Sequence, residues 1–252
     1  MNKRQSYLAI WFFVVFVIQG IRTYDPSVSY EKFLEKENSK YAEISKQKIN
    51  ELINLGELTE DFPMINCKEY ILFFHAAHFN VVNARAMIFK HYALRKQMTE
   101  IFNRDDTDPE LSELDQAKRV MSHSILFSDS YQTIRGLVGY RYIYTRFVDT
   151  NPANFVFIQQ VRYFFYMIKC MLIEYGTFDG LVVIVDGAGF TMTHANKINS
   201  HLLSPLLKLI EEAPLMRLKN IFILNTNAAM TTAYRMASLR SPDLCQKVEA
   251  SN

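Results

Sequence analysis

Two short runs of unbroken apolar residues, Leu181-Val182-Val183-Ile184-Val185 and Ile221-Phe222-Ile223-Leu224, constrain this chain more than any other feature. A strand that is apolar at every position, not at alternate ones, is a strand covered on both faces, as in parallel sheets. The first run stops at Asp186-Gly187 and the second at Asn225, both turn formers. A helical pattern lies in front of each. Between Phe155 and Glu174 the residues Phe157, Val161, Phe164, Phe165, Ile168, Met171 and Leu172 recur at spacings of three and four. Ser204-Pro205 offers an N-cap and an N1 proline for a helix carrying Leu206, Leu209 and Ile210. Tyr140 to Phe147, rich in Tyr and Ile, reads as a further strand. Parallel strands need crossovers, and these helices supply them. The second half of the chain is therefore predicted to be α/β, with a mixed, partly parallel sheet flanked by helices.

The first half has a different rhythm. Tyr30 to Leu55 is charged and helical in period, with Leu34, Tyr41, Ile44 and Leu52 on one face and Gly56 as its stop. Cys67 to Phe79 is a more apolar helix. Asn80 is placed to cap a third, running from Val81 to about Phe102 with Ala84, Met87, Ile88 and Tyr92 on one stripe. Asn103 to Leu114, with its acidic run Asp105-Asp106-Thr107-Asp108, reads as a solvated linker, not a calcium loop. These patterns divide the chain into an apolar N-terminal extension (1–29), a helical subdomain (30–112) and an α/β domain (113–252).

Composition narrows the functional classes. With 28 Lys+Arg against 26 Asp+Glu in 252 residues, the net charge is +2, too small for a general attraction to nucleic acid. Cys67, Cys170 and Cys245 are scattered and odd in number, which argues against a disulfide or zinc framework. At the N-terminus, Lys3 and Arg4 precede an apolar run from Tyr7 to Ile18. Twelve helical residues reach about 18 Å, short of the roughly 30 Å hydrocarbon core, so the layout suits a signal peptide better than a spanning helix. The alternative is an N-terminal extension that is buried or touches a membrane.

Catalytic and metal signals are weak. His75 and His78 stand three apart without a nearby glutamate or third ligand, and read as packed helix histidines. Asp186-Gly187-Ala188-Gly189 follows a strand, yet no phosphate-binding loop accompanies it; Asp186 is expected to hydrogen-bond the turn after it. An α/β enzyme would require Asp186 and His194 to converge on one cleft. No cofactor or metal is expected.

The residues also resemble a known family. Tyr70-Ile71-Leu72-Phe73-Phe74-His75-Ala76-Ala77-His78-Phe79-Asn80-Val81, continuing through Ala84-Arg85-Ala86-Met87 to His91-Tyr92-Ala93-Leu94-Arg95, is similar to the paired N-terminal helices of the CRAL-TRIO lipid-transfer proteins. Gly180 to Asp186, Gly189-Phe190-Thr191-Met192-Thr193-His194 and Pro214 to Thr226 look like that family's later signatures, in the same order. In style they approach the tocopherol-transfer and retinaldehyde-binding branch. The resemblance implies a non-enzymatic, monomeric cytoplasmic carrier. It would enclose one hydrophobic ligand, a tocopherol, retinoid or phospholipid-like molecule, between an apolar sheet floor and a movable helix, and exchange it during transient membrane association. Mapped by motif, the implied pocket walls are Val161, Phe164, Phe165, Ile168 and Leu172, then Leu181, Val183 and Val185, then Leu206, Leu209, Ile210, Ile221 and Ile223. Ala228 to Leu239 falls where the gate helix lies, and Arg217 and Arg240 match positions of a phosphoinositide cradle.

Some positions depart from the pattern. Leu72, His75 and Ala77 stand where the family usually has arginines, and Asn227 where it has a proline. Ser238 to Asn252 is polar and unlike the usual continuation, so the last edge strand is expected to be missing. The rival functional reading is a membrane-tethered or secreted interaction protein that uses residues 1–20 as anchor or signal, its pocket degenerate.

Overall fold

The computed structural model describes residues 29–55, 65–102, 111–127 and 139–250. The apolar segment Tyr7 to Ile18, the stop at Gly56 and the acidic run Asp105 to Asp108 lie outside them. The first part is helical: α1 (Tyr30–Lys40), α2 (Lys46–Asn54), α3 (Cys67–Ala76), α4 (Val81–Lys96) and the short α5 (Thr99–Phe102). Side chains cap the first four at their N-termini, Ser29, Ser45, Asn66 and Asn80 each accepting an N–H from the first turn.

All three helices expected here are shorter than their periodicity predicts; the one expected from Val81 to about Phe102 stops at Lys96, and α5 follows as a separate turn. The stretch from Tyr30 to Leu55 divides because Tyr41 turns extended (φ −136°) and its hydroxyl donates to Asp179 at 2.8 Å, a contact 138 residues away. Ser45 then caps a fresh helix. The helix from Cys67 ends at Ala76, not Phe79, because His78 and Phe79 adopt left-handed backbone (φ 54° and 61°) and the Phe79 N–H returns to the Phe74 carbonyl at 2.9 Å. The apolar stripe expected on α4 packs inward, with Ala84, Ile88 and Tyr92 buried.

After α6 (Leu111–Val120), strands and helices alternate: β1 (Met121–Phe127), β2 (Tyr140–Phe147), α7 (Phe157–Tyr175), β3 (Gly180–Asp186), α8 (Met192–Asn196), α9 (Ser200–Glu212), β4 (Leu218–Leu224), α10 (Ala228–Ser238), α11 (Pro242–Cys245) and β5 (Val248–Ala250). Among the described residues the strands form one mixed sheet in the order β1-β2-β3-β4-β5, antiparallel between β1 and β2 and parallel thereafter. The architecture is the α/β arrangement that the sequence predicts: a helical N-terminal part, then a mixed sheet flanked by helices.

Four details differ from expectation. β1 carries no strong strand signal, yet it pairs along the whole of β2. The edge strand expected to be missing is present as β5, three residues that pair with Ile221, Phe222 and Ile223. The helix expected to begin at Ser204 starts a turn earlier, where Asn199 accepts the His201 N–H at 3.0 Å and Pro205 falls inside the helix. Finally, full burial holds only for the first half of β3. Leu181, Val182 and Val183 are buried, but Ile184 and Val185 are half-buried, and in β4 only Leu218 is buried.

One buried cluster runs through both parts, from Phe33 and Phe73 to Leu181, Val183 and Leu244. The join has a polar clasp. Glu37, 0% exposed, accepts the Thr177 N–H at 3.0 Å, the Thr177 hydroxyl and the Lys40 ammonium at 2.8 Å. Gly176 makes this approach feasible: its φ is +76°, and a Cβ there would collide with the Glu37 carboxylate.

Candidate functional site

The register fixes which side chains share a face of the sheet. Ile143, Val183 and Ile221 lie abreast, as do Thr145, Val185 and Ile223, with Leu181 beside Leu218. This face looks towards α7. His123 of β1 lies on it too, its Nδ1 2.7 Å from the Thr145 hydroxyl and its ring 4.8 Å from that of Tyr163 on α7. Above β3 and β4 the layers do not close on each other. A cavity of about 190 Å³ remains, with Leu181, Val183, Val185, Leu218 and Ile221 as its floor. Its walls are Phe164, Phe165 and Ile168 from α7, Leu209 and Ile210 from α9, Ile101 and Phe102 from α5, and Leu215 and Met216 ahead of β4.

Of the walls implied by motif, the structure brings together Phe164, Phe165, Ile168, Leu181, Val183, Val185, Leu209, Ile210 and Ile221. It places the other four elsewhere. Leu172 is 1% exposed in the main core, about 10 Å beyond Phe165 along the same face of α7. Val161 and Leu206 belong to a second cluster with Leu94, Met98, Leu202 and Leu209, which borders the cavity at Leu209. Ile223 is half-buried further along the floor, beside Val185 and Ala250.

Sequence reasoning missed the side of the cavity built by the helical part: Glu69, His91, Arg95, Ile101 and Phe102, together with Arg162 and Lys169 on α7. Tyr92 to Arg95 carried a family motif, but nothing in the motif says that α4 would stand over the sheet. His91 is held neutral: burial drives its pKa down to about 3, and its Nδ1 lies 2.7 Å from the Ala213 carbonyl, so that nitrogen carries the proton and donates. Arg162 is paired with Glu113 at 2.7 Å. Tyr92 donates its hydroxyl to Glu69 at 2.5 Å.

Arg217 and Arg240 are not gathered into one cradle. The Arg217 Nε and Nη2 donate to the His75 carbonyl at 3.1 and 2.6 Å, and its guanidinium lies 5.3 Å from the Phe79 ring centre. It thereby satisfies the end of α3. The Arg240 Nη1 donates to the Met236 carbonyl at 2.8 Å, at the end of α10.

Asp186 and His194 also part company. Asp186 accepts hydrogen bonds from Tyr144, Asn225 and the Ala188 N–H, the last being the turn contact expected of it. Burial alone would raise the Asp186 carboxyl, but these donors outweigh it and hold it below its usual value. His194 is enclosed by Phe147, Phe155 and Phe190, with its Nδ1 accepting the Thr191 N–H at 3.1 Å. The two sit in different surroundings and form no joint cleft. His75 is buried in α3, and among the described residues no group of three His, Cys, Asp or Glu is placed to hold a metal ion. No helix among them is long and apolar enough to cross a membrane.

The region that holds the cavity floor and its α7 and α9 walls also has a family match. Residues 130–250 match the family model of the CRAL/TRIO domain. The match spans a little under half of the chain, and the mixed sheet with its flanking helices fits the CRAL/TRIO fold. It supports the family resemblance of the motifs, and CRAL/TRIO domains in general bind and transfer lipids or small hydrophobic ligands. The α3, α4 and α5 walls of the cavity lie outside the matched CRAL/TRIO residues. No curated protein sequence matches the chain.

Proposed function

We propose that this protein binds a small hydrophobic molecule in the cavity over β3 and β4 and carries it between membranes. The observation that supports this most directly is the space itself, an apolar hollow whose floor lies in the region that resembles a CRAL/TRIO domain. An engineered apolar cavity of about 150 Å³ stays dry and takes up benzene, so 190 Å³ of apolar space has room for a ring or a short acyl segment. Sites for drug-sized ligands are nearer 300 to 1,000 Å³. A whole tocopherol, retinoid or phospholipid tail would require a wall of the cavity such as α9 to move away from the sheet.

Affinity in such a site comes from apolar area, at about 25 cal/mol per Å² removed from water. The test is to purify the full chain, extract it and identify bound lipid by mass spectrometry, with Phe165→Asp as the control. Native protein should yield an apolar ligand that the variant lacks. If the native protein, while folded, neither holds nor takes up any lipid, the carrier reading is wrong.

Exchange at anionic, phosphoinositide-bearing membranes of the cytoplasm is the second element of the proposal, with Arg217 and Arg240 as candidate contacts. Arg217 already serves the His75 carbonyl, so head-group binding there would compete with the end of α3. Arg240→Glu should lower binding to phosphoinositide vesicles at low salt without loss of fold, and no change would remove this element.

A further inference from the structure

Behind the apolar wall of the cavity lies a polar enclosure. Phe164, one of the wall residues, also meets His123 of β1, with ring centres 5.6 Å apart, and Tyr163 meets the same imidazole at 4.8 Å. His123 is 9% exposed. Its Nδ1 lies 2.7 Å from the Thr145 hydroxyl, but its Nε2 is buried and has no hydrogen-bond partner. Gln160, 6% exposed, stands three and four residues before Tyr163 and Phe164, one turn earlier on the same face of α7. Neither its amide oxygen nor its amide nitrogen has a partner. Roughly nine in ten buried polar groups in folded proteins are bonded, so three unbonded atoms in one place point to a guest that supplies the missing bonds. The enclosure is neutral. Burial alone lowers His123 to about 4, with no charged group contributing, so an ionised head would enter without a counter-charge.

We propose that the carried molecule bears a neutral hydroxyl, with its apolar body over β3 and β4 and its hydroxyl past Phe164 on Gln160 and His123. This rests on the carrier reading and goes beyond it by naming the head group. A hydroxyl donates one hydrogen bond and accepts two, so it can answer the Gln160 carbonyl and amide together, and either tautomer of His123. An ether only accepts, and an ammonium or carboxylate brings an unpaired charge. Entry requires the Phe164 ring to turn aside. That turn also lengthens a cavity of about 190 Å³, which is short for a drug-sized guest.

Four ligands of similar length test this on the full chain by calorimetry: 1-octanol, 1-methoxyheptane, octanoate and octylammonium. Octanol should bind about tenfold tighter than the ether, the scale of one or two neutral hydrogen bonds, and both ions should bind more weakly than octanol. Gln160→Leu and His123→Phe keep the bulk without the polar atoms, and each should cut the octanol preference severalfold. Gln160→Leu should also leave the urea midpoint of the unliganded protein unchanged or higher, because it removes a buried group that has no bond to lose. Equal binding of octanol and the ether, a preference for either ion, or an undiminished octanol preference in Gln160→Leu would each overturn the hydroxyl assignment while leaving an apolar site in place. So would a lower midpoint for Gln160→Leu, since the amide would then serve the fold. If none of the four binds to folded protein, the carrier reading falls and this assignment with it.

Discussion

Phe33, Ile44, Ile49, Ile71, Phe73 and Phe74 fill the space between α1, α2, α3 and α4 so fully that none is more than 1% exposed. Phe164, Phe165, Val185, Ile210 and Ile221 are as apolar in kind, yet they stay half-buried around a cavity. The difference lies in geometry. In the helical region four short helices meet from several directions, and each large side chain fits between others. Over the sheet, the floor carries Val183 and Val185 among longer Leu and Ile side chains, and these two are too short to reach across the gap that Phe164, Phe165 and Phe102 hold open. Apolar pattern therefore reports where oily surface lies, while the length and direction of side chains decide whether it interlocks or leaves room.

The strongest way to break this contrast is to shave one aromatic ring from each region. Phe73→Ala should cost about 3 to 5 kcal/mol in urea denaturation, whereas Phe165→Ala should cost less than about 1.5 kcal/mol because its site is already partly empty. Equal losses would mean that the cavity wall is packed like the core. The clasp between the regions comes next. Glu37→Ala strands the Thr177 N–H and hydroxyl together with Lys40, and should lower stability by about 3 kcal/mol. A loss below about 1 kcal/mol would show that the two regions do not lean on this contact.

Acid should then loosen the helical region through its neutral histidines. Burial holds His91 and His75 down at about 3, far below the 6.5 of an unfolded chain. The unfolded state thus takes up protons first, and stability falls as pH drops from 6.5 towards 3. For His91 alone the loss between pH 7 and pH 5 is about 2 kcal/mol. His91→Gln should flatten that part of the stability curve by this amount, and an unchanged slope would place His91 in contact with water. The smallest stability effect belongs to the cavity. Ile221→Phe adds volume to the floor where there is space, so stability should shift by no more than about 1 kcal/mol while uptake of an apolar ligand drops about tenfold. A large destabilisation would mean there was no room to fill.

Much of the frame was legible in the sequence because it depends on local pattern. The unbroken run from Leu181 to Val185 marked a strand, though one covered only over its first half, Tyr140 to Phe147 marked another with its ends correct, and Asn80 announced a helix start. What failed were features whose cause lies far along the chain. The break at Tyr41 depends on Asp179, and the end of α3 on the left-handed turn at His78 and Phe79, where the His75 carbonyl is met by Arg217. β1 and β5 become strands by pairing with β2 and β4 more than through their own composition.

The candidate site divides in the same way. The sheet and α7 walls could be marked from apolar spacing and motif, but Phe165 and Leu172 share a face of α7 about 10 Å apart, and the first meets the cavity while the second meets the core. No spacing rule gives the angle at which a helix lies on a sheet. Arg95, His91 and Glu69 join the wall because α3 and α4 stand over β3 and β4, an approach made of contacts more than a hundred residues apart, such as His91 with Ala213.

By itself, then, the order of residues determined the class of fold, the strands at its centre and the identity of its greasiest surfaces, since each follows from periods of two and 3.6 along a local stretch. Only the folded arrangement decided that those surfaces leave a hollow, and that an arginine from the helical region closes it. An empty volume is set by how far apart packed layers stop, and that distance belongs to no single segment of the chain.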